Sequence, residues 1–515
     1  MLRKTYVESG AIRGEACADP RITVYKGVPY AAPPVGELRW RAPQPVVPWR
    51  GEYAADRFPD IEIQVQPGSD PGDFFTREIN PTGTECRMSE DCLYLNIWTP
   101  AQTEDEGLPV YLWIHGGGMQ AGYSYELEFD GERVAKRNVI FVTVGYRLNA
   151  FGFLAHPDLE REDPQACQGN YGLEDIVFAI KWMKRNIGAF GGDPDRITIG
   201  GQSGGAFGVM ALCASPQTRG LIAGAIAQSG GGIRSFGYGN KCADLKTAQR
   251  YGEEFLKLLG VKSIDEARKL SGEEIYRAYD AQGCMFERWS PTVDGKFLTE
   301  DPSDAVLCDH LPRIPYLFGS TIGEGMGTPA AAALPSSVED FEKMVRNLFG
   351  EEADEFLRIC KVKDMRDVVR ICQGDAFNIR TIAVRAYCMI QARQKRNGYF
   401  YIFNHDIPGG DQPGAYHGSD MWFTFDSLGR CWRPFSGKHY DLAEQVCAYW
   451  TNFVKCGNPN GEDRFGRKLP DWEEYTQENP FVMEFRDKPE REMRELDEAA
   501  RFRIDYHFKK AGLKL

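Results

Sequence analysis

Ile197-Thr198-Ile199-Gly200-Gly201-Gln202-Ser203-Gly204-Gly205 decides the fold. An apolar β-type run leads into Gly-x-Ser-x-Gly, and Ala206 to Cys213 continues as a helical pattern. A serine placed on so sharp a strand-to-helix turn projects its hydroxyl clear of the backbone, and glycines beside it let neighbouring chain pass without a Cβ clash. The N–H groups at the start of the helix then point toward any anion that forms next to the serine. The stretch reads as a nucleophile elbow, with Ser203 as its nucleophile.

Outward from the elbow, apolar β-rich runs recur at Val110 to Ile114, Val139 to Val144, Leu221 to Ala227, Tyr316 to Phe318, Tyr399 to Phe403 and Phe481 to Phe485. Helical patterns separate several of them. The clearest begins near Gly172, with Leu173, Ile176, Val177, Ile180, Met183 and Ile187 at helical spacing, and ends at Gly188 as a C-cap. Strands alternating with helices predict right-handed crossovers and a mostly parallel or mixed sheet with helices on both faces, an α/β class fold. The charged helical stretches at about 240–300 and 336–397 read as insertions over the carboxyl edge of the sheet, where α/β sites form. The opening segment, from Thr23 to Tyr30 and through a Pro-rich loop to Trp49, reads as short strands and turns; the tail from Glu490 to Leu515 reads as a charged surface helix. A single domain over 1–515 is expected.

A serine hydroxyl is a weak nucleophile at neutral pH, so a histidine must take its proton and a carboxylate must fix the tautomer of that histidine. After an elbow the order is Ser, then Asp or Glu, then His. Among seven histidines, that order removes His115, His156 and His310 if the acid lies near Glu324, and leaves His405, His417, His439 and His507. His417 stands in a loop of small residues, Pro413-Gly414-Ala415-Tyr416-His417-Gly418, after the strand ending at Phe403. His405 follows that strand too closely, and His439 and His507 lie in charged, exposed-looking surroundings. For the acid, Glu324 sits between Gly323 and Gly325 just past an apolar strand; Asp294, in Pro291 to Gly295, is the runner-up and reads as a turn residue. Acyl transfer also needs donors for a tetrahedral oxyanion, and His115-Gly116-Gly117-Gly118 follows a strand immediately, which is the pattern of esterase oxyanion loops. Neither G-x-G-x-x-G nor a Gly-Lys-Ser/Thr ending appears, so a phosphate loop is not the reading.

Composition narrows the class. With 515 residues and 42% hydrophobic side chains the chain can bury a large core, and its net charge of −13, from 74 acidic against 61 basic residues, argues against a nucleic-acid partner. No apolar stretch approaches the roughly 18 residues of a membrane span, and the start has no apolar leader core, so neither export nor anchoring is expected. Fourteen cysteines without C-x-x-C or zinc spacing read as buried free thiols, and no cofactor or metal is expected.

With these motifs in place the chain resembles the type-B carboxylesterase family, which includes para-nitrobenzyl esterases, carboxylesterases and cholinesterases. The resemblance is carried by Tyr25 to Trp40, by Ser89-Glu90-Asp91-Cys92 through Trp98, and by the glycine loop at His115. It continues through Gly169 to Asp175, Ala189 to Pro194, the elbow, Ala227 to Gly230, the Glu324 turn and Gly414 to His417. It implies an α/β-hydrolase fold and a carboxylic ester hydrolase in which Ser203 is the nucleophile, His417 the general acid/base and Glu324 the orienting acid. Gly117, Gly118 and Gly204 would supply the oxyanion-hole N–H groups. The family usually has Glu and Ala where Gln202 and Gly204 stand. The tryptophan that cholinesterases carry before the Ser-Glu-Asp-Cys motif is missing between Trp49 and Trp98, so a choline cation–π site is not expected. Secreted members pair the cysteine matching Cys92 with one well upstream; here only Cys86 is near, which favours a reduced, cytoplasmic setting. The substrate is read as a small apolar or aryl ester, in a pocket of Met119, Tyr123, Phe207, Met326, Trp422 and Phe423. Feruloyl, sugar-ester, lactone and amide hydrolysis share the mechanism. The family's inactive adhesion modules lack the nucleophile that is present here.

Overall fold

The apolar runs pair into a mixed sheet of eleven strands in a computed structural model that describes residues 1–70, 72–79, 86–231, 242–283, 288–324, 334–372, 374–396, 398–492, 496–510 and 512, the side chains of 379–381 excepted. In chain order the strands are β1 (Glu15–Ala16), β2 (Thr23–Pro29), β3 (Tyr94–Thr99), β4 (Leu108–Ile114), β5 (Ile140–Val144) and β6 (Gly192–Gln202). They continue with β7 (Gly224–Gln228), β8 (Tyr316–Thr321), β9 (Tyr399–Phe403), β10 (Met483–Phe485) and β11 (Pro489–Arg491). Across the sheet the order is β11-β10-β9-β8-β7-β6-β4-β5-β3-β2-β1. The seven strands from β10 to β5 are mutually parallel, and antiparallel pairs occur only toward the two edges.

Alternation within the central strands divides the core in two. Val110, Leu112 and Ile114 of β4 pack on one face with Ile140, Val142 and Val144 of β5, whereas Tyr111, Trp113 and Phe141 pack on the other. Each fully buried Val or Ile contributes roughly 1.5–3 kcal/mol. Helix α1 (Tyr171–Asn186) and helix α2 (Gly204–Ala214) cover the first face, and α3 (Gly437–Cys456) covers the second through Leu442, Val446, Trp450 and Phe453.

Register brings the carboxyl ends of neighbouring strands into step. Ile114 pairs with Gly201, Gln202 with Gln228, Gln228 with Gly319, and Thr321 with Phe403. The glycine loop after β4, Ser203 after β6 and the Glu324 turn after β8 therefore leave the sheet on one edge, at the place where strand order reverses between β4 and β6.

Several sequence boundaries shift. Leu221 to Ala223 precede β7: the Leu221 N–H donates back to the Thr218 carbonyl at 3.0 Å and closes a turn, and only Ala223 N–H, which donates to the Ile197 carbonyl at 2.8 Å, reaches the neighbouring strand before the ladder begins. In the tail, Pro489–Arg491 forms an antiparallel edge strand on β10, and the helix starts only at Glu498. The stretches read as insertions contain the helices Leu245–Leu259, Ile264–Ala267 and Gly272–Asp280, then Val338–Phe349, Ala353–Cys360, Met365–Cys372 and Ile379–Arg393. Among the described residues no helix is long and apolar enough to cross a membrane.

Candidate active site

Ser203 has φ 55° and ψ −121°, a conformation that costs a non-glycine residue on the order of 1–3 kcal/mol and persists only where the surroundings impose it. Here its N–H donates to the Gln228 carbonyl at 2.9 Å, and its own carbonyl accepts from Phe207 N–H at 3.0 Å, so β7 and the first turn of α2 hold the elbow from both sides. The glycines on either side are required by space. A Cβ on Gly205 would lie 2.1 Å from the Ile114 carbonyl oxygen, and one on Gly201 would lie 2.5 Å from the Gly205 backbone carbon.

The loop after β4 passes directly in front of this turn. Gly117 and Gly118 have φ of 88° and 63°, and a Cβ built on Gly204 would stand 2.6 Å from the Gly118 nitrogen. Among the described residues the N–H groups of Gly117 and Gly118 donate to no protein acceptor, and Gly204 opens α2, where an N–H has no intrahelical partner. Gly117, Gly118 and Gly204 thus come together along the cavity that Ser203 also lines. His115, at the start of the loop, is no part of this convergence: it is buried, stacks on Tyr146 at 4.5 Å, and burial pushes its pKa down to about 4.

On the other side, His417 Nδ1 lies 2.5 Å from Glu324 Oε2, and Glu324 Oε1 accepts the Thr321 N–H at 3.1 Å. The carboxylate is 4% exposed and the imidazole 11%, so the pair is nearly dry. Backbone ties the two loops together, with Gly323 N–H donating to the Ala415 carbonyl at 3.0 Å and Gly323 bridging to Tyr416. The second ring nitrogen, Nε2, faces the side-chain amide of Gln202 at 3.2 Å. Ser203, His417, Gln202, Gly117, Gly118 and Gly204 all line one cavity of about 770 Å³.

The remaining sequence candidates sort clearly. Asp294 accepts backbone N–H groups of Gln168, Lys296, Phe297 and Leu298, which makes it a turn-holding carboxylate away from the cavity. His405 is buried against Phe423 and His439. His439 is buried rather than exposed, because its Nδ1 accepts the Ser436 N–H at 2.8 Å at the head of α3; His507 is half-buried on the last helix. Of the expected pocket residues, Met119, Tyr123 and Phe207 line the cavity. Trp422 and Phe423 do not: the short helix Met421–Thr424 turns Met421 to the cavity and sends both aromatics into the core on the α3 side. Met326 lies outside the described residues.

Sequence reading missed one whole wall. Gln64 to Ser69, Asp70, Asp73, Phe75, Thr76 and Ile79 come from a stretch with no recognisable pattern, and Glu126 closes the site behind the glycine loop. Burial raises the Glu126 carboxyl to about 8. A possible metal-ligating group among the described residues, Glu300, Cys308 and His310, lies outside the cavity, and His310 Nδ1 is 2.7 Å from Glu300 Oε1.

Comparison with known proteins agrees over the whole length. Residues 3–503 match the profile of the carboxylesterase family. The chain is 32% identical over 476 residues to the fumonisin B1 esterase of Sphingopyxis macrogoltabida, covering 88% of this chain and 82% of that protein. It is 30% identical over 451 residues to the para-nitrobenzyl esterase of Bacillus subtilis, covering 85% and 87%. The crystal structure of a Geobacillus stearothermophilus carboxylesterase superposes with a TM-score of 0.75 at 30% identity, over 97% of this chain and 99% of that one.

Proposed function

Because this chain belongs to the carboxylesterase family, has the α/β-hydrolase fold and is a carboxylic ester hydrolase, we propose that it works through an acyl-enzyme on Ser203, with His417 as general acid/base and Glu324 as its orienting acid. The observation that carries this reading is the 2.5 Å contact between Glu324 and His417, whose imidazole lines the same cavity as a strained Ser203. With Nδ1–H held by the Glu324 carboxylate, Nε2 releases the Gln202 amide that it faces at 3.2 Å and accepts the Ser203 proton as Oγ attacks the ester carbonyl carbon. The carbonyl oxygen becomes an oxyanion within reach of the Gly117, Gly118 and Gly204 N–H groups, which need not reorganise. Collapse expels the alcohol, which takes the proton from His417, and water repeats the sequence on the acyl-enzyme to release the acid. We place the reaction in one α/β-hydrolase domain whose helical insertions are at 240–300 and 336–397.

The cavity supports small apolar or aryl esters, since Met119, Tyr123, Phe75, Phe207 and Met421 supply its apolar walls. Its charged lining among the described residues is acidic, from Asp70 and Asp73, with no lysine or arginine, while burial keeps the Glu126 carboxyl protonated at neutral pH. Esters that carry a carboxylate near the reacting carbon should therefore be poor substrates. A reducing, cytoplasmic setting is supported by the free thiols of every described cysteine, Cys86 and Cys92 included. The test is turnover of p-nitrophenyl butyrate by Ser203→Ala: kcat should fall by on the order of 10⁴-fold or more, and an unchanged rate would end the proposal.

A further inference from the structure

One wall of the cavity is the helix Phe74–Ile79, whose Phe75, Thr76 and Ile79 face the empty space while Glu78 is turned inward. Glu78 and Arg433 are each 0% exposed in their side chains, and they meet fork to fork: Arg433 Nε donates to Oε2 and Nη2 to Oε1, both at 2.7 Å. A third donor, the Tyr416 hydroxyl, reaches Glu78 Oε2 at 3.1 Å, and Tyr416 is the residue immediately before His417. The same helix is tied to the histidine loop three times more. Arg77 donates to Asp411 at 2.6 Å, and Asp411 also accepts from Arg433 at 3.0 and 3.1 Å. The Phe74 ring stands edge-on to Tyr416 at 5.0 Å, and Phe75 edge-on to His417 at 6.3 Å.

Stripping an ion pair wholly of water costs more than the attraction returns unless its geometry is near ideal, and well-packed apolar side chains would stabilise the same place as well. What the bidentate pair adds is direction, since a planar guanidinium fixes the carboxylate in angle as well as distance. Here that direction links a wall of the cavity to the backbone that presents the imidazole.

We propose that Glu78 and Arg433 are positioning residues that lock the Phe74–Ile79 wall to the His417 loop. The lock sets both the aim of the imidazole and the size of ester the cavity accepts. The inference rests on His417 being the general base. Neither residue touches the reacting atoms; both act through Tyr416 and Phe75.

The test compares Tyr416→Phe, which removes one oxygen and leaves the ion pair, with Glu78→Gln and the charge-neutral pair Glu78→Gln/Arg433→Met. Each is assayed on p-nitrophenyl acetate, butyrate and octanoate, alongside thermal melting and stoichiometric labelling by a fluorophosphonate. Labelling should stay complete, showing the nucleophile intact. The kcat should fall about tenfold in Tyr416→Phe and about 10²-fold in Glu78→Gln, as expected for lost bonds to a charged group and a small misplacement of a catalytic side chain. The ratio of kcat/KM for octanoate to that for acetate should also move by about threefold or more. A merely structural pair would lower the melting temperature and leave that ratio alone. Folded, fully labelled variants with kcat and the chain-length ratio unchanged would overturn the proposal; where Glu78→Gln does not fold, Tyr416→Phe decides by the same criterion. Retained activity in Ser203→Ala would instead strike the underlying catalytic reading.

Discussion

The two sides of Ser203 are made of different material. On one side stand side chains, His417 and Glu324, brought together from loops 93 residues apart and joined at 2.5 Å. On the other stand backbone N–H groups of Gly117, Gly118 and Gly204, made available because these residues can adopt conformations and approaches that a Cβ would forbid. The side-chain half fails when a group is deleted. The backbone half has no group to delete and fails only when the chain is displaced.

The contrast orders the expected effects. On the proposed mechanism, replacing His417 by Ala removes the proton acceptor and should lower kcat by on the order of 10⁵-fold or more, measured on a p-nitrophenyl ester; a loss under about tenfold would break the side-chain half of the account. Glu324→Gln keeps the shape but presents the wrong tautomer, and a loss of about 10⁴-fold is expected. On the backbone side, a methyl at Gly117 would sit 2.1 Å from the Ala121 carbonyl oxygen, at a φ of 88°. Gly117→Ala should therefore displace the loop and cost about 10²- to 10³-fold in kcat with the fold intact by circular dichroism. Equal losses at Gly117 and His417 would erase the distinction between the halves.

The smallest effect concerns what backs each half. Glu126, whose Oε1 accepts the Tyr123 N–H at 3.0 Å beside the glycine loop, has its carboxyl raised to about 8 from 4.5 by burial. Between those values the folded protein holds a proton that the unfolded chain has released, so this group's contribution to stability is full below pH 4.5 and is lost as pH rises toward 8. Denaturant unfolding at a series of pH values should show a shallower decline for Glu126→Gln than for the natural chain. Parallel curves would remove Glu126 as its cause.

Much of this was legible in the residues. The elbow could be read because a period-2 apolar run ends at a glycine-serine turn and a helical pattern begins, and these local features agree with one another. The order Ser203, Glu324, His417 and the run of glycines after β4 narrowed the site before any geometry was known. What stayed hidden depends on contacts between remote positions. Glu78 gains its meaning from Arg433, 355 residues away, and nothing around either residue signals the other. Met421 rather than Trp422 faces the cavity because of the phase of a four-residue helix, too short for periodicity to register. His439 looked exposed among charges, yet it caps a helix from within.

The most direct test of the central claim is covalent labelling with a fluorophosphonate, followed by peptide mass spectrometry of the labelled chain. One phosphonyl group on the peptide that contains Ser203, lost in Ser203→Ala and strongly slowed in His417→Ala, is the result this account requires. Adduct on another serine, or none on an enzyme that still turns over esters, would contradict it.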